Sequence, residues 1–208
     1  MAIFDPTIFQ NISGSLGNIT TYKLGDKQVA RRKSCFVRDA KTPGQLKQRA
    51  RVQFITSLYR SFITVLKAGH STSSQKVCSN CFMRDNIKKV EVDDDMNATV
   101  DLVSLSLSGG GLGIPKIGAG VMVEERQVLF RWERQPLTPK MSKDDRLFGV
   151  VFERVKRRSR LVELGLRGED GELTWALPKD WNAAELVVYG FAVSANGKKA
   201  SGTLGILG

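Results

Sequence analysis

The sequence predicts a mainly β protein with one long helix (α+β), in which an N-terminal β-hairpin and the helix precede an antiparallel β-sandwich. Three observations carry that expectation. Apolar residues recur at every fourth position from Leu46 to Leu66, short β-prone runs follow one another from residue 100 onwards, and Gly, Asn and Asp punctuate those runs. With 208 residues, 41% hydrophobic and 25% charged, the chain can bury one generous core or two small ones. The change of period divides it into an N-terminal part over 1–98 and a sandwich over 99–208.

Residues 1–13 read as an irregular, mostly apolar arm, and Gly14-Ser15-Leu16-Gly17-Asn18 punctuates the chain. Ile19–Lys23 and Gln28–Arg31 are two short β-prone runs, and Gly25-Asp26 between them suits a hairpin turn because glycine accepts positive φ. Thr42-Pro43-Gly44-Gln45 then combines an N-cap Thr, a Pro at the first helical position and a Gln three residues after the cap. Leu46, Ala50, Phe54, Leu58, Phe62 and Leu66 follow at i+4, so one helix is expected over 43–68, with Gly69 to end it. His70–Gln75 reads as loop, and Asp93-Asp94-Asp95 as a solvated acidic patch.

From Val100 to Leu107 the chain alternates with period two, as a half-buried strand does. Further strands are expected at 121–123, 128–132, 147–152, 161–164, 173–177, 186–193 and 200–204, with Ala195-Asn196-Gly197 the clearest turn. Short strands at this spacing suggest a sandwich of the immunoglobulin or fibronectin-III type.

Several motifs bear on chemistry. Cys78-Ser79-Asn80-Cys81 has metal-ligand spacing, and Cys35 and His70 are the side chains that would complete a tetrahedral zinc site. A lone CxxC without a second pair is weak, so incidental thiols and no cofactor are expected. Gly109–Pro115 is glycine-rich but lacks the Lys-Ser/Thr of a phosphate-binding loop. One histidine and no nucleophile motif leave no catalytic constellation, so no enzyme is expected.

The charge is uneven. Of 32 basic and 21 acidic residues, 11 and 3 fall within residues 1–60. Arg31, Arg32, Lys33, Arg38, Lys47, Arg49 and Arg51 are one candidate surface for an anionic partner; Lys156, Arg157, Arg158 and Arg160, at a hairpin tip, are another. No helix-turn-helix, zinc-finger or RNA-recognition motif accompanies them. Neither a secretory leader nor a membrane-spanning apolar run is read in the sequence, so a cytoplasmic protein, or a particle assembled in the cytoplasm, is expected.

Gly14…Gly17-Asn18, Tyr22, Gly25…Gln28-Val29…Arg31, Thr42-Pro43-x-Gln45…Gln48-Arg49, Leu177-Pro178-x-x-Trp181 and Asn196-Gly197-Lys198-Lys199-x-Ser201 together resemble an uncharacterised family. Its members, from Bacteroidota-type bacteria and their mobile elements, are about as long as this chain. The resemblance brackets nearly the whole sequence and implies no activity. One local departure is Asp39-Ala40-Lys41, where the family has Asn-Pro before the Thr. The basic hairpin followed by a Thr-Pro-x-Gln helix also resembles the opening of small phage proteins encoded near virion genes. These readings lead to an assembly protein that oligomerises with itself or with other particle subunits, through its N-terminal arm and β edges. A non-specific nucleic-acid-binding module is the alternative.

Overall fold

A computed structural model describes residues 2–4, 12–34, 39–72 and 74–207. The chain divides into two compact units, Met1–Thr42 and Pro43–Gly208.

The N-terminal unit is one four-stranded antiparallel sheet in the order β1-β4-β3-β2, built from β1 (Ala2–Phe4), β2 (Gly14–Leu16), β3 (Ile19–Leu24) and β4 (Lys27–Arg32). Two-residue turns join β2 to β3 and β3 to β4. Each places a glycine at positive φ, Gly17 at 57° and Gly25 at 61°, which an L side chain resists. The β3–β4 hairpin is the one expected, whereas β1 and β2 form where an irregular arm and a break were read. The rest of that arm, residues 5–11, lies outside the described residues.

The C-terminal unit is mixed α/β, mostly β, in three layers. The helices are α1 (Pro43–Ser61), α2 (Ile63–Gly69) and α3 (Gln75–Asn86). They pack on one face of a four-stranded sheet ordered β10-β9-β12-β13, made of β9 (Arg146–Glu153), β10 (Arg158–Leu166), β12 (Leu186–Val193) and β13 (Leu204–Leu207). The other face packs on a three-stranded sheet ordered β11-β8-β7, made of β7 (Ile117–Met122), β8 (Gln127–Trp132) and β11 (Gly171–Ala176). A short hairpin, β5 (Glu91–Val92) and β6 (Ala98–Thr99), follows α3.

Burial on both faces explains why β9 and β12 read as unbroken apolar runs. Phe148, Val150, Phe152, Val187, Tyr189, Phe191 and Val193 point to the helices, while Leu147, Val151, Leu186, Val188 and Ala192 point to the second sheet. Gly149 lies on that second face, where a Cβ would stand 2.6 Å from the Phe130 ring.

The C-terminal unit differs from the expectation as well, and the strand expected at 200–204 lies at Leu204–Leu207. The single helix is two, broken at Phe62, whose ring is fully buried 4.6 Å from that of Phe152. Ser159 of β10 donates its hydroxyl to the Ser61 carbonyl at the break, satisfying a group the helix has released. The loop read before the CxxC ends at Ser74, which caps α3; the stripe Cys78, Phe82, Asn86 gives that helix its buried face. Val100–Leu107 forms no strand. Leu105 and Leu107 are buried in alternation, but side chains take the place of a ladder: Asn86 accepts from Ser106 N–H and donates to its carbonyl, both at 2.8 Å, and Thr203 accepts from Leu107 and Ser108 N–H. Finally, the expected boundary at 98/99 falls inside β6, and the helices share a core with β9 and β12.

Candidate interaction surfaces

The N-terminal sheet has little interior. Alternation and register put Ile3, Tyr22, Leu24, Val29 and Arg31 on one face and Leu16, Ile19, Ala30 and Arg32 on the other. Among the described residues of this unit only Gln28 and Val29 are buried. Leu16 is 87% exposed, Leu24 60% and Ile19 52%. Leu16 and Ile19 stand directly opposite each other, and Ile19 opposite Arg32, so an aliphatic pair sits beside a cation. Arg31 places its guanidinium 5.8 Å from the centre of the Tyr22 ring, and Arg31, Arg32 and Lys33 are all exposed at the end of β4. With Gln28 and Val29 alone buried among its described residues, this sheet buries little apolar surface of its own.

The other described basic candidates lie in the C-terminal unit, and much of their charge is employed there. Lys47 pairs with Asp94 at 2.6 Å, and Arg51 donates from Nε to the Val90 carbonyl at 3.1 Å. Arg49 is exposed on α1. The β9–β10 turn does not stand clear of the fold: Arg157 donates to Ser57 Oγ of α1 at 3.3 Å. Lys156 and Arg158 both reach Asp180, at 3.1 and 3.5 Å, and the Lys156 hydrogen bond holds that carboxyl below its ordinary range. Arg160 is exposed on β10, while Arg38 lies outside the described residues. The acidic trio is the β5–β6 turn, in which Asn97 donates from its backbone and side-chain nitrogens to Asp93.

Cys78 is fully buried in the α3 stripe, and burial, with Cys81 one turn away adding to it, pushes its thiol pKa up. That is the reverse of a reactive thiolate. His70 caps the C-terminus of α2 with its Nε2 buried and, among the described residues, unbonded; burial lowers its pKa while Asp85 opposes the shift. Cys35 lies outside the described residues. Among the described residues no three His, Cys, Asp or Glu side chains gather where one metal ion could be held.

The glycine-rich loop is a close chain crossing. A Cβ on Gly110 would meet the Ala200 carbonyl oxygen at 2.2 Å, and Leu112 donates its N–H to that oxygen at 3.1 Å. Gly69 serves the same purpose, since a Cβ there would meet the Leu107 carbonyl oxygen at 2.5 Å.

Sequence reasoning missed a buried polar hub. Arg167 and Asp145 are almost wholly buried and lie 3.4 Å apart. Arg167 also donates to the Gly113 carbonyl at 2.8 Å and to Gln135 Oε1 at 3.3 Å, while Asp145 accepts from Ser142 N–H at 3.0 Å. The hub ties the segment before β7 and both ends of the β8–β9 connection to the end of β10. Its one sequence signal is the Arg167-Gly168 step at a strand end, which also fits an ordinary turn.

Among the described residues no helix is long and apolar enough to cross a membrane. No curated protein and no solved structure matches the chain. A family model, described as a family of unknown function (DUF6266), matches residues 11–206. That span takes in both units and nearly every element described above, and the chain therefore belongs to the DUF6266 family.

Proposed function

We propose that this protein is a non-enzymatic assembly subunit that associates with further copies of itself through the N-terminal sheet. The observation that carries the reading is the exposure of Leu16, Ile19 and Leu24 on a unit in which, among the described residues, only Gln28 and Val29 are buried. Open edges add to it. β7 lies at the edge of its sheet and carries no charged residue or proline to discourage pairing. In this reading the seven strands β7–β13 form a fibronectin-III-like sandwich, supported by the order β11-β8-β7 against β10-β9-β12-β13. Its concrete form is a virion, tail or neck component, made in the cytoplasm of a Bacteroidota-type host of a phage or related mobile element.

The test is the native mass of nuclease-treated protein by light scattering, with Leu16→Ser/Ile19→Ser/Leu24→Ser beside it. Wild type is expected as a defined oligomer of the 23.0 kDa chain, and the triple variant as a monomer. A wild-type monomer at high concentration refutes self-assembly.

Arg31, Arg32 and Lys33, consecutive and exposed, favour nucleic-acid binding as the second reading. It requires salt-dependent binding to duplex or single strand that Arg31→Gln/Arg32→Gln weakens. Absence of binding at low salt removes it.

A further inference from the structure

Between α1, β6 and the β9–β10 turn, the C-terminal unit leaves a concavity of about 230 Å³. Its walls are apolar: Phe54 and Leu58 of α1, Val100 and Leu102 after β6, and Phe152 of β9. Leu58 and Phe152 are held in the core, the latter against Phe62, so the floor is fixed. Water gains few partners on such a surface.

The mouth is cationic. Arg154 and Arg157, both exposed, line it from the four-residue turn between β9 and β10. That turn is anchored on three sides. Arg154 N–H donates to the Glu185 carbonyl, the buried Glu153 carboxylate accepts from Lys156 N–H, and Arg157 donates from one Nη to Ser57. Among the described residues the Arg154 guanidinium has no hydrogen bond or ion pair, and Arg157 keeps donors beyond the one given to Ser57. The Asp101 carboxylate, which is not part of the lining, accepts from Val103 N–H at 3.1 Å. Two guanidiniums at the rim of an apolar pocket match a carboxylate joined to an apolar body. At roughly 30 Å³ per water-sized group in a liquid, the space takes about eight heavy atoms.

We propose that this concavity binds a small amphipathic carboxylate, with its chain or ring against Phe54, Leu58 and Phe152 and its carboxylate between Arg154 and Arg157. Every lining residue belongs to the C-terminal unit, so the inference does not rest on the proposed assembly through the N-terminal sheet.

The test titrates octanoate into the full chain by calorimetry and by amide chemical shifts, with acetate and 1-octanol as the head-only and tail-only probes. Octanoate is expected to bind saturably at millimolar or lower concentration, with shifts confined to α1, residues 98–102 and the β9–β10 turn. Acetate is expected not to bind, and 1-octanol to bind more weakly. Arg154→Gln/Arg157→Gln, at two exposed positions, should weaken octanoate binding about tenfold or more while leaving 1-octanol unchanged. Thr99→Trp, at the exposed rim, should block both. The proposal is overturned if octanoate does not saturate, if the arginine variant binds it as well as wild type, if acetate binds equally, or if the shifts fall elsewhere.

Discussion

Replacing Arg167 by Met removes the cation that, among the described residues, pairs with a carboxylate that is almost wholly buried. Asp145 would keep the Ser142 N–H but lose the guanidinium 3.4 Å away, and the Gly113 carbonyl would lose its donor. Removing one member of a buried pair costs about 3–5 kcal/mol, because the remaining charge stays desolvated. For a domain of this size that is roughly 10 °C in Tm, and a large share of a total stability of about 5–15 kcal/mol. Burial pulls the Arg167 pKa down and the Asp145 charge draws it back. The assay is urea denaturation of wild type, Arg167→Met, Asp145→Asn and the double variant, which together close a double-mutant cycle. Asp145→Asn keeps an acceptor for Ser142 and removes the stranded charge, so the double variant should be more stable than the sum of the single effects predicts by at least about 1.5 kcal/mol. If Arg167→Met costs under about 1 kcal/mol, or costs the same with Asn at 145, the hub is not an interdependent pair and the reasoning fails.

Three further outcomes are expected. Asn86→Ala strips both backbone groups of Ser106 of their partner and should cost about 2–4 kcal/mol by denaturant titration. Gly110→Ala drives a Cβ toward the Ala200 carbonyl oxygen and should cost about 3 kcal/mol, whereas Gly111→Ala meets nothing within 4 Å and should lie within about 0.5 kcal/mol of wild type. Burial keeps the folded-state pKa of His70 below its ordinary 6.5. The unfolded chain therefore takes up the proton first as pH falls through about 6.5, and stability present above that pH declines below it. His70→Gln should flatten that slope in melting curves between about pH 5 and 8.

Local chemistry was legible wherever it acts over a few residues. Pro43 opens α1 because a missing N–H costs nothing at the first helical position, and Leu58, Phe62 and Leu66 keep their stripe across the break. The β3–β4 hairpin turns at Gly25-Asp26, and β12 turns toward β13 around Gly197, whose φ is 69°. The strands from β7 to β12 lie close to the runs that suggested them.

The amino-acid sequence by itself determined which segments are amphipathic, where the chain turns, and that charge gathers toward the N-terminus. Tertiary structure decided what those segments face. Alternation at 100–107 describes a segment with one side buried, but only the positions of Asn86 and Thr203 decide that side chains, not a strand, meet its backbone. The Cys78–Cys81 spacing is equally that of a metal motif and of a helix face, and only the fold shows Cys78 in the buried stripe of α3. Lys47, Lys156 and Arg158 read as open positive charge because the aspartates they meet are 47, 24 and 22 residues away in the chain. Periodicity reports whether a residue is buried, while the partner across the interface is set by long-range contacts that no local window contains.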